Sequence, residues 1–169
     1  MKKSIRNSII VVVIAVILII GYYFFPIKVN QELSGIKYRL GDGSYSEEVK
    51  VSVDGYLSNG LLHKTYFQGT VKIGDKLLNK VILNLDKGSD GLLFLDESIG
   101  DFTNYGMIYA SNNMKELTIM IYDDPSDNGL ITWSSRNGLM LSAPSKTRED
   151  ALEISKKLIT KSAPDINLK

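Results

Sequence analysis

Residues 47–57 read EEVKVSVDGYL. Val49, Val51 and Val53 alternate with Lys50, Ser52 and Asp54, the period-two pattern of a strand with one face buried and the other wetted. The alternation recurs further along. Phe67, Gly69, Val71 and Ile73 interleave with Gln68, Thr70 and Lys72, and Leu117, Ile119 and Ile121 interleave with Thr118, Met120 and Tyr122. Turn signals fall between these runs: GDG at 41–43, Asn59-Gly60, Gly74-Asp75, DKGSDG at 86–91 and Asn137-Gly138. Each offers residues that tolerate positive φ or bend the chain.

Working outward from 47–57, these signals predict about nine short strands, at 36–40, 47–57, 61–73, 77–86, 92–96, 105–110, 117–122, 130–134 and 139–142. Short connections favour antiparallel neighbours, so the fold class is mainly β, an antiparallel barrel or sandwich. Whether its interior is hollow or packed is not legible in the pattern. Residues 76–85, KLLNKVILNL, fit helical and strand spacing alike. The Gly74-Asp75 turn before them and the β-rich neighbours favour a strand.

The chain ends in a helix expected over 148–161. Thr147 can cap it with Asp150 three residues on. Glu149 and Asp150 suit the positive end of the helix dipole, and Lys156, Lys157 and Lys161 the negative end. Ala151, Ile154 and Leu158, flanked by Leu152 and Ile159, form a stripe that should pack on the sheet or close a barrel mouth. Pro164 ends the helix.

The other end of the chain is apolar. Residues 8–26, SIIVVVIAVILIIGYYFFP, follow a short start, residues 1–7, that carries Lys2, Lys3 and Arg6. From Ile9 to Phe25 no residue is charged, and at about 1.5 Å per residue this run approaches the thickness of a bilayer core of about 30 Å. The basic start predicts a cytoplasmic N-terminus, and Tyr22 and Tyr23 sit where an interfacial aromatic belt is expected. A cleaved signal would need small residues at its cut. A cut after Ala15 leaves too short an apolar core, and one after Gly21 places Ile19 where a small side chain is preferred. The reading is an uncleaved single-pass signal-anchor with an extracytoplasmic domain over 30–162 and a tail at 163–169. Only residues 27–35, IKVNQELSG, separate the anchor from the first expected strand, so the partners are the membrane itself, through 8–26, and a membrane-proximal protein.

The chain has 20 basic and 19 acidic residues. Without Lys2, Lys3 and Arg6 the balance is 17 against 19, or −2, which gives no footprint for nucleic acid. The absence of cysteine excludes disulfides, thiolate metal sites and cysteine nucleophiles. No Asn-x-Ser/Thr sequon is present, in keeping with a bacterial source.

His63 is the only histidine, so the usual zinc ligand sets cannot be assembled, and no serine lies in a Gly-x-Ser-x-Gly context to pair with it. Residues 86–97, DKGSDGLLFLDE, look like a calcium loop: Asp86 as first ligand, Asp90 at the fifth position, Gly91 as the turn glycine and Glu97 as the bidentate twelfth. Gly88 at the third position offers no oxygen, and 98–106 is no credible exit helix. The competing reading is a hairpin with an aspartate- and glycine-rich turn, so no cofactor is expected and calcium is the one metal in play. Residues 123–129, DDPSDNG, read as a polar loop tip. Asp96, Glu97 and Asp101 could act as paired carboxylates in a wall-polymer hydrolase. Trp133 with Arg136 could anchor a binding surface, although a lone Trp in a strand more often packs a core. Nine tyrosines and five phenylalanines could line a lipocalin-like ligand or lipid pocket or fill the interior.

The layout of a basic start, one anchor and a cysteine-free, lysine-rich β domain is similar to envelope proteins of Gram-positive bacteria. That likeness carries over no functional residue. The expected role is a non-enzymatic binding or accessory module at the cell envelope.

Overall fold

A computed structural model describes residues 2–60, 64–85, 90–96, 102–122 and 133–168. Helix α1 (Lys2–Phe24) leads into eight strands: β1 (Ile27–Arg39), β2 (Asp42–Gly60), β3 (Lys64–Ile73), β4 (Lys76–Asn84), β5 (Asp90–Asp96), β6 (Phe102–Ala110), β7 (Leu117–Ile121) and β8 (Leu139–Ala143). Helix α2 (Arg148–Ser162) follows. The strands form one antiparallel sheet in the order β4-β3-β2-β1-β8-β7-β6-β5. Two meanders of four strands are therefore stitched together by the β1–β8 pairing, where Ile36 faces Ser142 and Arg39 faces Leu139.

The sheet curls into a barrel-like form. Its edge strands meet at Gly91 of β5, where a Cβ would stand 2.2 Å from the Leu83 side chain and 3.1 Å from the Ile82 carbonyl of β4. A side chain at this position would have to displace the buried Leu83. The inner face is a packed core drawn from seven of the eight strands: Val51, Val53, Phe67, Val71, Leu78, Val81, Leu83, Ile108, Leu117, Ile119 and Leu141 belong to one cluster with Val29 of β1. Phe67, Val71, Leu78, Leu83, Ile108, Leu117, Ile119 and Leu141 are fully buried. A water-sized sphere therefore finds no void beside any of them, as dense interiors require. Met114, also fully buried, brings the β6–β7 turn into this core, and the Gln31 side-chain amide donates to its carbonyl.

The ambiguity at 76–85 has a physical explanation. These residues form β4, but Lys80 adopts φ 56° and the β3–β4 register slips between Gly69 and Val71. That irregularity brings Leu78 and Val81, three apart, to the same inner face with Leu83 and Leu85, which is the spacing that resembles a helix.

A second layer lies outside. Helix α2 packs across β8, β1, β7 and β6. Ala151, Leu158 and Ile159 join Ile36, Tyr38, Leu40, Tyr109, Met120 and Met140 in a second core, which Leu168 of the tail completes. Thr147 caps α2: its Oγ1 accepts from the Asp150 N–H at 3.1 Å, and Asp150 Oδ2 accepts from the Thr147 N–H at 3.2 Å. Lys157 grips both carboxylate oxygens of Glu116 at 2.9 and 2.7 Å, tying the helix to the β6–β7 turn. Of the two placements expected for this helix, it takes the outer face and not a barrel mouth.

Three expectations are corrected. Residues 27–35 are no linker but the first part of β1, because Val29 and Leu33 supply an inward-facing row that pairs with Gly55 and Val51 of β2. Asn59 and Gly60 do not form the turn; pairing continues through them to Thr65 and Lys64. The described strands number eight, and Trp133 and Ser134, from the strand expected at 130–134, lie in none; residues 130–132 lie outside the described residues. Among the described residues no helix is long and apolar enough to cross a membrane.

Candidate functional site

The strands fix two ends of the barrel. At one end β1 begins, two residues after α1. At the other, β1 ends at Arg39, β2 begins at Asp42, β7 ends at Ile121 and β8 begins at Leu139. This far end carries most of the polar and aromatic side chains that register brings together.

Position 37 of β1 points toward the inner side, in step with Leu33 and Val29, but lies beyond the packed core. There Lys37 Nζ reaches Glu47 Oε2 of β2 at 3.4 Å, and the Tyr45 hydroxyl donates to the same oxygen at 3.3 Å. Exposed pairs of this kind contribute little to stability. Across the opening, Lys76 Nζ stands 5.1 Å from the ring centroid of Tyr105, within reach of a cation–π contact. Burial, reinforced by the negative charge of Glu47, pushes the Tyr105 phenol up to about 12. The Tyr122 phenol is raised by burial too, and its N–H donates to the Tyr105 carbonyl at 3.0 Å.

At this end Arg39 Nη1 donates to the Asn137 carbonyl at 2.8 Å. Arg148 Nη2 donates to the Arg39 carbonyl at 3.3 Å. The Arg148 guanidinium carbon lies 5.7 Å from the Tyr38 ring centroid, while its Nε is buried without a hydrogen-bond partner. Asp42 is exposed, and hydrogen bonds from the Ser44 hydroxyl and N–H hold its carboxyl below the usual range. The rim is therefore built of tyrosines, paired charges and arginines, the residue types that carry binding energy at protein surfaces.

Trp133 and Arg136 fall at this end but play different parts. Trp133 is half-buried against the second core, and its indole N–H donates to the Leu139 carbonyl at 3.3 Å. Gly138 is obligatory beneath it, since a Cβ there would stand 2.3 Å from the indole nitrogen. Arg136 is exposed, and its carbonyl closes on Gly41, which adopts φ 73°.

A cluster of hydroxyls lies under α2. Ser155 Oγ is 2.7 Å from each of Tyr38 OH, Thr118 Oγ1 and Ser142 Oγ. All four residues are fully buried. One donor and two acceptor slots are all a hydroxyl has, so Ser155 is saturated and serves to pin the helix to the sheet. Burial raises the Tyr38 phenol, against the hydrogen bonds from Ser155 and Ser142 and the charge of Arg148.

The expected calcium loop is met by a strand. Asp90–Asp96 form β5, extended along β6 from Tyr109 to Phe102. At about 3.3 Å per residue its ends lie about 20 Å apart, and Asp90, the fifth position of the expected loop, starts that strand. Asp86 and Glu97 lie outside the described residues, as do His63, Asp101 and 123–129. Among the described residues no group of three His, Asp or Glu side chains gathers to hold a metal. No protein-family model matches the chain, and neither a curated protein nor a solved structure matches it.

Proposed function

We propose that the protein is a single-pass, membrane-anchored module of the bacterial cell envelope. In this reading the barrel stands outside the cytoplasm and binds a protein partner through its far rim without catalysing a reaction. The rim carries the proposal: Tyr45, Tyr105, Lys37, Glu47 and Lys76 surround one opening of a barrel whose interior is already filled. A filled interior favours recognition at the surface over the lipocalin-like alternative, which needs an accessible lining.

The anchor draws support from α1. Of its 23 residues, the uncharged part, 7–24, rises about 27 Å, close to a bilayer core of about 30 Å. The part with described side chains, residues 6–21, rises about 24 Å and is too short alone. Within it, Ile9, Ile10, Val11, Val12, Val13 and Ile14 are exposed around more than a full turn. A helix apolar all round belongs in a protein core or in lipid, and here no core covers those residues.

Photo-crosslinking in intact cells tests the reading. A crosslinker at Tyr45 of the full chain should capture one discrete partner, lost in a Lys37→Glu background, while the same probe at Glu153 on the exposed face of α2 should not. Equal capture at both positions, or none at Tyr45, overturns it.

A further inference from the structure

The end of the barrel nearest α1 differs in character from the rim. Helix α1 stops at Phe24 and β1 starts at Ile27, so only Phe25 and Pro26 lie between them. Fully extended residues reach at most about 3.6 Å each, so the first residues of β1 are held within about 10 Å of the helix terminus. Helix α1 also lies in contact with β2. Because Ile27 pairs with Leu57, β2 continues three residues past the start of β1, to Gly60, and β3 begins at Lys64 opposite it. That is about 10 Å of hairpin running back alongside the helix terminus.

The side chains at this level are unlike those of a wetted sheet face. Phe25 is 76% exposed and Ile27 53%. On the outer face, Lys28, Tyr56, Gln68 and Ile82 stand side by side on β1, β2, β3 and β4, with Tyr56 50% and Ile82 60% exposed. The row of Lys28, Tyr56, Gln68 and Ile82 and the segments 25–30, 55–60, 64–69 and 81–85 hold Lys28 and Lys64 and no carboxylate, and the next acid on this face is Asp54, one row further from the helix and opposite Asn30. The opposite end carries Asp42, Glu47, Glu48 and Asp75. Tyrosine, isoleucine and lysine without acid are what a lipid headgroup layer accepts, the aromatic at the interface and the amine on anionic lipid.

The geometry points to a lipid surface as the occupant of this end: the α1-proximal end of β1–β4, marked on its outer face by Lys28, Tyr56 and Ile82 and beside the helix terminus by Phe25 and Ile27, is seated in the headgroup layer. The barrel is thereby held in one orientation with its rim facing away from the membrane. This inference rests on the anchor reading above.

The natural absence of cysteine makes the test direct. Single-cysteine variants of the full chain, Val13→Cys, Tyr56→Cys, Ile82→Cys and Gly43→Cys, carry a fluorophore and are reconstituted in phosphatidylethanolamine–phosphatidylglycerol vesicles. One vesicle set contains lipid with a nitroxide quencher near the headgroup and another has it deep in the acyl chain. Gly43 suits the control because it is exposed and a Cβ there meets nothing within 4 Å. The deep quencher should extinguish the Val13 label, the shallow quencher should extinguish the Tyr56 and Ile82 labels, and Gly43 should keep its fluorescence with both. Quenching at Val13 with Tyr56 and Ile82 as bright as Gly43 overturns the seating and leaves the anchor standing. A Val13 label that escapes the deep quencher removes the anchor and this inference with it.

Discussion

Replacing Phe67 by alanine measures whether the barrel is filled. Phe67 sits in the middle of β3, fully buried, and its ring lies over two glycines: a Cβ on Gly55 would stand 2.8 Å from its Cε2, and one on Gly69 2.8 Å from its Cζ. Gly55 and Gly69 face each other across β2 and β3. The space vacated by the ring is thus bounded by two residues with no side chain to relax into it. Their backbones are also too close to admit one, since a Cβ on Gly69 would lie 2.6 Å from the Gly55 Cα. Truncations that leave an uncollapsed cavity cost most within their class, about 3–5 kcal/mol for phenylalanine. With a urea dependence of about 2 kcal/mol/M, the unfolding midpoint should fall by about 2 M. The assay is urea unfolding of the full chain in detergent, followed by tyrosine fluorescence or circular dichroism. Phe67→Leu, which keeps most of the volume, should lose less than about 1.5 kcal/mol. A midpoint for Phe67→Ala within experimental error of wild type would refute the filled interior, because in a hollow barrel the ring would already face water or ligand.

Three further outcomes follow from the same packing and electrostatics. Thr147→Ala removes the cap of α2 and should cost about 1 kcal/mol, with Thr147→Ser restoring nearly all of it in the same urea assay. Ser155→Ala strips the hub from the hydroxyl cluster, taking the Ser155 bond from Tyr38 while Thr118 and Ser142 keep each other at 2.9 Å, and should cost about 1–3 kcal/mol in thermal or urea unfolding. Tyr105 ionises at about 12 in the folded protein but near its ordinary value of about 10 when unfolded. The unfolded chain therefore releases its proton first, and the stability this group contributes is complete below pH 10 and lost as pH rises toward 12. Tyr105→Phe should flatten that part of the stability–pH curve, and an unchanged slope would contradict the burial of the phenol.

The mainly β class was legible because the inner and outer faces of β2 and β3 differ in polarity at period two, whereas β7, buried on both faces, shows it only in part. The capping box of α2 was legible because it is a local event, complete within Thr147 to Asp150. The first part of β1 was hidden for a physical reason. Its inward row runs Val29, Gln31, Leu33, Gly35, and only two of those four are apolar; the polar Gln31 is accommodated by donating to Met114, 83 residues away. Strand β4 was ambiguous because one residue at φ 56° shifts its inward set by one position, and a bulge leaves no local signature beyond that broken alternation.

The far rim could not be read from the chain, because its parts come from β1, β2, β4 and β6 and none forms a local motif. Lys37 and Glu47 are ten residues apart, and Lys76 and Tyr105 are 29 apart. What unites them is register: the β1–β2 pairing sets Lys37 opposite Glu47, and curling carries Lys76 across to Tyr105. The two residues nominated from sequence, Trp133 and Arg136, lie close in the chain, yet one contributes its ring to the second core and the other only its carbonyl to the turn at Gly41. Proximity in sequence thus selected a packing residue, whereas the polar surface arises where strands outrun the core that their inner faces can fill. Beyond the Gly35–Val49 pair the inward positions of β1 and β2 hold lysine, glutamate and tyrosine in place of valine. A barrel closed by apolar side chains at one level and rimmed by paired charges at the next has its recognition chemistry at that boundary.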